Sequence, residues 1–130
     1  MTAQRREVLA RNARLLGERS AVPKLDILAF ADDIYHHAEL GYKEFRTSEK
    51  FADIMKQHLS HVDEHLAVTG VKAYLNEDRK EQFSLALLGE MDALKIPNHI
   101  YAVPETGAAH CCGHHAQLAG VVGAMLALTD

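Results

Sequence analysis

The sequence predicts an α/β fold in which helices flank a mixed sheet, and three observations predict it. The first half of the chain carries apolar residues at helical spacing. The segment 83–89 is short, almost wholly apolar and ends on glycine, which is the pattern of a strand buried on both faces. A long apolar helix pattern follows near residues 115–128. Helices beside a buried strand form a layered α/β architecture.

The individual elements are predicted from apolar spacing and from residues that begin or end helices. A first helix is expected at about residues 8–16, a second from Pro23, and a third from about Thr47 or Ser48. The second helix should present one apolar stripe, formed by Leu25, Leu28, Ala29 and Ile34. The third should present another, formed by Phe51, Ala52, Met55 and Leu59. Two short strands are then expected, at residues 62–68 and 71–75.

Length and composition restrict the class of protein. The chain has 130 residues, 48% of them hydrophobic and 25% charged, which is typical of one globular domain. A net charge of −4 gives no basic surface for nucleic acid, and no apolar run reaches the roughly 20 residues that span a bilayer. The N-terminal arginines are not followed by the apolar core of a secretory signal. We therefore expect a cytoplasmic protein without nucleic-acid or membrane partners.

The segment 109–115 carries the strongest chemical signal. It reads Ala-His-Cys-Cys-Gly-His-His and holds three of the nine histidines beside both cysteines. Thiolate and imidazole are preferred ligands of zinc and similar metals, and Gly113 lets Cys112 and His114 turn toward one ion. The alternative is that Cys112 is a small buried side chain among histidines of an exposed loop. Adjacent cysteines cannot join distant segments, and a disulfide between them would be strained.

Two further segments carry acidic residues. Glu90 and Asp92 directly follow the expected buried strand, and active sites of open α/β sheets lie beyond such strand ends. These carboxylates could bind a metal or orient a ligating histidine, but they could equally cap a helix or form a turn. The segment 36–45, which contains Glu39 and Glu44, would by itself be taken for a polar surface loop.

Five motifs in order make the chain resemble a known family. They are His37-Ala38-Glu39-Leu40-Gly41-Tyr42 followed by Glu44, Thr47-Ser48-Glu49, Thr69-Gly70-Val71, Glu90-Met91-Asp92-Ala93-Leu94, and His110-Cys111-Cys112-Gly113-His114. The resemblance is to the metal-dependent amidohydrolases and metallopeptidases that include hippurate hydrolase, the indole-acetyl-amino-acid hydrolases and, more distantly, aminoacylase. It covers about residues 24–128 and implies an aminopeptidase-like, co-catalytic metallopeptidase fold.

The resemblance also implies a metal site. Two divalent ions are expected in the complete enzyme, either zinc, manganese or cobalt. Motif matching makes Cys112 and His114 the ligands, with Glu90 and His110 as candidate additional ligands. Asp92 matches an acidic position that supports the site without binding the metal. The general base has no counterpart in this chain. The family's remaining ligands would lie beyond residue 130.

The chain departs from the family at several positions. Ala38 replaces a proline, His115 stands where relatives commonly have aspartate, and Gln117 stands where many have histidine. These changes indicate a divergent subgroup and leave the substrate undefined. The apolar last helix needs cover on several sides, which indicates that residues 1–130 are an incomplete N-terminal part of a larger catalytic domain. Truncation and a split subunit are both compatible with this.

Two functional hypotheses follow from the resemblance. In the first, the chain is the N-terminal part of an enzyme that hydrolyses the amide bond of N-acyl amino acids or small peptide-like substrates, and it is inactive alone. In the second, it is a non-catalytic module that binds a metal or a partner protein. Partners would then be the small substrate, a missing C-terminal portion or a second copy of the chain. Intact Cys112 and His114 favour the enzyme, because an interaction module does not need them.

Overall fold

Three helices and two small sheets make up the part of the chain that the structure describes. The structure is a computed structural model that describes residues 24–77 and 85–129. In chain order its elements are α1 (Lys24–His36), α2 (Phe45–His58), β1 (His61–Leu66), β2 (Gly70–Tyr74), β3 (Leu94–Lys95), β4 (Ala108–Ala109) and α3 (His114–Thr129). This confirms the predicted α/β class. The helix predicted at about residues 8–16 lies outside the described residues.

The core lies between the three helices. Each helix contributes buried side chains three or four residues apart, which is the spacing of one helical face. They are Phe30 and Ile34 of α1, Phe51 and Met55 of α2, and Leu118, Val122 and Met125 of α3. Ile34, Met55 and Val122 are almost completely shielded from solvent. The apolar face predicted for α2 is confirmed, since Phe51, Ala52 and Met55 are all buried.

The face that α1 buries differs from the predicted stripe. Phe30 and Ile34 point into the core, whereas Leu28 is 66% exposed. Gly123 of α3 explains the close contact between the two helices, because a Cβ built there would lie 3.2 Å from Ile27 Cδ1. The helix–helix contact thus selects the Ile27–Phe30–Ile34 side of α1 and leaves Leu28 in solvent.

The first sheet is a β-hairpin that covers one side of the helices. β1 and β2 pair antiparallel with Val62 opposite Ala73 and Asp63 opposite Lys72. Val62, Val71 and Ala73 pack against the core. The opposite face carries polar groups, where Tyr74 donates a hydrogen bond to Asp63 Oδ2 at 2.9 Å. This alternation is the expected pattern of a half-buried hairpin and confirms both predicted strands.

His61 on this hairpin is expected to titrate above its ordinary pKa of 6.5. Its Nδ1 lies 2.6 Å from Glu77 Oε2 and its Nε2 lies 3.2 Å from Asp63 Oδ1, and these carboxylates, Glu77 first, raise the pKa. The contribution of the His61 contacts to the stability of the fold is therefore complete below pH 6.5, and it is lost as the pH rises through the folded-state pKa of His61. An NMR titration should show a lower His61 pKa in Glu77→Gln and no change in Glu49→Gln. Equal pKa values in Glu77→Gln and the parent would contradict the contact.

The prediction of a buried strand at residues 83–89 is wrong for those of its residues that the structure describes. Residues 85–90 form neither helix nor strand, and Leu85 and Leu88 are 82% and 85% exposed. Residues 83 and 84 lie outside the described part. An apolar run becomes a buried strand only where neighbouring strands pair with it. Within residues 24–77 and 85–129, β1 pairs with β2 and β3 pairs with β4, so neither sheet includes this segment.

A search of the described residues for a membrane-crossing helix gives a negative result. None of α1, α2 and α3 combines the length and the apolar content that a bilayer span requires. The cytoplasmic location expected from the sequence stays a prediction.

Candidate functional site

The structure brings three of the sequence motifs side by side. Leu40 of the first motif forms a parallel bridge with Ala93, and Ala93 N donates to Glu39 O at 2.8 Å. The next residue, Leu94, pairs antiparallel with Ala109. The small side chains of Ala38, Ala93 and Ala108 are buried together there, which allows the three backbones to approach closely. The segment 93–95 is therefore the centre of the candidate site, with the two other motifs on either side.

His114 begins α3 and is held between the two acidic residues of the central motif. Its Nδ1 lies 2.8 Å from the carbonyl oxygen of Asp92 and 3.0 Å from Asp92 Oδ1. Its Nε2 lies 3.0 Å from Glu90 Oε2. Asp92 thus accepts a hydrogen bond on one side of the ring, which fixes the ring orientation. The separation between Nε2 and the Glu90 carboxylate is short enough for both to bind one cation.

The other proposed ligands do not converge on this pair. Cys111 and Cys112 are both exposed free thiols, and His110 is buried at 5% exposure. Glu90 and Asp92 approach opposite nitrogens of the His114 ring. Within residues 24–77 and 85–129, no three Cys, His, Asp or Glu side chains are arranged to hold a metal ion. The described residues therefore offer donors in pairs, and the metal-ligand roles of Cys112, His114, Glu90 and His110 stay predictions.

His110 and His115 form a pair of imidazole rings beside this site. Their ring centroids are 5.4 Å apart. Burial lowers the pKa of His110 to about 4, with help from the positive charges of His115 and His114. Burial also lowers the pKa of His115, and the neighbouring His114 lowers it further. Both rings are therefore neutral at pH 7, and neutral imidazole is the form that binds metals.

The acidic residue of the first motif has a structural role that the sequence did not reveal. Glu39 Oε1 accepts a hydrogen bond from Arg46 N at 3.0 Å, and Oε2 accepts from Thr47 N at 2.8 Å and from Thr47 Oγ1 at 2.9 Å. These amides belong to the first turn of α2, which has no partners of its own for them. Glu39 therefore caps α2 from outside the helix. Glu39 and Thr47 each belong to a motif that the sequence analysis identified. Their contact depends on the loop between them, so the motifs alone do not reveal it.

Glu44 and the Thr-Gly motif are joined in the same way. Glu44 is buried, and its Oε2 accepts a hydrogen bond from Thr69 Oγ1 at 2.8 Å. The following Gly70 starts β2 where a Cβ would lie 2.5 Å from the carbonyl oxygen of Leu66. Only glycine fits that approach without a shift of the backbone. The motif 69–71 thus fastens the hairpin to the N-terminus of α2.

Gln117, one of the departures from the family, also has a defined contact. Its Oε1 accepts a hydrogen bond from Glu90 N at 2.8 Å. This bond ties the end of the segment 85–90 to α3 and places Glu90 beside His114. The glutamine therefore positions an acidic residue of the candidate site. This contact does not require Gln117 to bind a metal.

A groove of about 570 Å³ lies next to the site and was not predicted. It is bounded by the first motif loop and by the segment 101–106. Its lining mixes charged, polar and apolar groups, among them His37, Glu39, Lys43, Arg46, Tyr101 and Val103. Such a mixed, open groove suits a small organic ligand.

Comparisons with known proteins give one informative similarity. The chain is 31% identical over 84 residues to a protein of Synechocystis sp. (strain ATCC 27184 / PCC 6803 / Kazusa) named "Probable hydrolase sll0100". The match covers 62% of this chain and 21% of the relative, so the chain spans about a fifth of that curated protein. No protein-family model and no solved structure matches the chain. The similarity relates the chain to a protein named as a hydrolase.

Proposed function

We propose that the chain is the N-terminal part of the catalytic domain of a metal-dependent amidohydrolase. The complete enzyme hydrolyses the amide bond of N-acyl amino acids or small peptide-like substrates. The main support is the position of His114, whose Nδ1 side is held by Asp92 while its Nε2 faces Glu90. The relative named as a probable hydrolase supports the same class of activity.

The residues present supply some of the donor types that such a site needs. His114 and Cys112 supply imidazole and thiolate, which suit zinc, cobalt and manganese in descending order. Glu90 supplies a carboxylate 3.0 Å from His114 Nε2. When bound, the two divalent ions supply Lewis acidity for the amide carbonyl and lower the pKa of water. Asp92 would keep the His114 ring oriented with Nε2 toward Glu90, where these two residues would hold a metal ion.

The remaining parts of the reaction come from outside this chain. In the complete enzyme a carboxylate from the missing portion accepts the proton of the attacking water. The groove beside the first motif, lined by Lys43, Arg46 and Tyr101, accommodates part of the substrate. The chain alone is inactive, because a thiolate, an imidazole and one carboxylate leave two ions under-coordinated.

One observation favours the alternative, a non-catalytic interaction module. Leu85, Leu88 and Ile100 are each more than 80% exposed. Exposed apolar side chains are typical of a surface that contacts a partner where they lie together. A module of this kind needs neither Cys112 nor His114, so metal binding through these two residues separates the hypotheses.

Cobalt titration of the reduced chain is expected to produce a thiolate-to-metal charge-transfer band. The band should vanish in Cys112→Ser and survive in Cys111→Ser, the matched control at the neighbouring exposed thiol. Asp92→Asn should weaken cobalt binding by roughly 10-fold, because it replaces the charged carboxylate beside His114 Nδ1 with a neutral amide. Binding should weaken as pH falls, because the ligand thiol must lose its proton.

Three outcomes would contradict the proposal. A band that depends on Cys111 and not on Cys112 would show that the motif alignment is wrong by one residue. Equal cobalt affinity in Asp92→Asn and the parent would remove the role of Asp92. Chelator-sensitive release of amino acid from an N-acyl amino acid by the chain alone would contradict its dependence on outside ligands.

A further inference from the structure

His110 and His115 contain two buried nitrogen atoms that need partners. His110 Nε2 and His115 Nδ1 are shielded from solvent and have no hydrogen-bond partner within the described part of the chain. His110 is itself more than nine-tenths buried. The two rings face each other with centroids 5.4 Å apart and planes inclined by 52°. Buried polar atoms in folded proteins are nearly always satisfied, so a common partner for both rings is indicated.

The chemistry of the two rings favours a metal cation as that partner. Each neutral ring has one nitrogen lone pair to offer. The centroid of the Tyr35 ring lies 4.9 Å from that of the His115 ring.

The pair shares only His110 with the candidate ligands of the proposed hydrolase site. His114 is engaged with Glu90 and Asp92, whereas His115 contacts Tyr35 and His110. Successive residues of a helix point about 100° apart, so the two histidines serve different sites. The position of His115 is also one at which the chain departs from the family that it resembles.

We propose that His110 Nε2 and His115 Nδ1 together bind a divalent transition-metal ion of the class that prefers imidazole, such as Zn²⁺, Ni²⁺ or Cu²⁺. Water completes its coordination. The site adds to the proposed function, and it shares only the candidate ligand His110 with it, since neither Cys112 nor His114 is a ligand. Imidazole suits these ions and not Mg²⁺ or Ca²⁺, which prefer oxygen ligands.

Zinc titration of the reduced Cys112→Ser variant tests the proposal by NMR of the imidazole nitrogens. This background removes the thiolate of the other site. The His110 Nε2 and His115 Nδ1 resonances should shift together as zinc is added, and Mg²⁺ should not shift them. Zinc affinity should fall by about tenfold or more in His110→Phe and in His115→Phe. Loss of a ligand should cost at least as much affinity as loss of a residue that only hydrogen-bonds to a ligand. The exposed His58→Ala is the matched control and should retain the affinity.

The outcomes separate this inference from the proposed function. Zinc that leaves both nitrogen resonances unmoved would overturn it, even if the cobalt band of Cys112 is present. An unchanged zinc affinity in His115→Phe would also overturn it. The NMR measurement needs neither phenylalanine variant, so the test holds if His110→Phe fails to fold. Loss of the cobalt band in Cys112→Ser, with zinc still bound at His110 and His115, would support both proposals.

Discussion

Glu39→Ala is expected to lower the free energy of unfolding by about 2–3 kcal/mol, because hydrogen bonds to a charged group contribute about 1.5–3 kcal/mol. The Glu39 carboxylate accepts three hydrogen bonds, from Arg46 N, Thr47 N and Thr47 Oγ1. Its negative charge also lies at the positive N-terminal end of α2. Alanine leaves the first-turn amides of α2 without this acceptor. Thr47 is fully buried, so its hydroxyl has no direct access to water.

Urea unfolding of three variants would measure the contribution of this cap. Glu39→Gln keeps an acceptor but loses the charge, so it should lie between the parent and Glu39→Ala. Glu49→Ala, at an exposed position of the same helix, should change the free energy of unfolding by no more than about 0.5 kcal/mol. Equal destabilisation by Glu39→Ala and Glu49→Ala would show that the carboxylate does not cap α2. The backbone bond from Ala93 N to Glu39 O persists in every variant.

Apolar periodicity predicted most of the local structure. The helix at Phe45–His58, the two hairpin strands and the last helix lie within a few residues of their predicted positions. Those patterns reflect one buried face per element, which depends on local spacing alone. The strand expected at residues 83–89 failed for a different reason. Its pattern specifies an apolar segment, but a strand also needs a neighbouring strand, which spacing within the segment cannot reveal.

The candidate site shows the same division between local and long-range information. Residue types and their order predicted Cys112, His114, Glu90 and Asp92 as a group, and the structure brings three of them together at the His114 ring. The roles of Glu39 and Glu44 were not predictable. Their hydrogen-bond partners are eight and 25 residues away, at Thr47 and Thr69. A carboxylate that caps a helix and one that binds a metal look alike in a sequence.

Ile34→Ala is expected to lower the free energy of unfolding more than any other change considered, by about 3–4 kcal/mol. This value lies within the range for replacing a buried isoleucine by alanine. Ile34 is completely shielded from solvent. It packs in the cluster that joins α1, α2 and α3, so the cavity would open between all three helices. Neighbours on three helices cannot all move in to fill it.

Leu28→Ala, on the same helix, is the matched control for this prediction. Leu28 is 66% exposed, and alanine is the better helix former, so the free energy of unfolding should change by no more than about 0.5–1 kcal/mol. The sequence alone placed Leu28 and Ile34 on one buried stripe, which predicts large losses for both variants. The contact of Gly123 with Ile27 instead rotates α1 so that Ile34 is buried and Leu28 is not. A large loss in both variants, measured by urea unfolding, would favour the stripe and contradict the observed packing of α1 on α3.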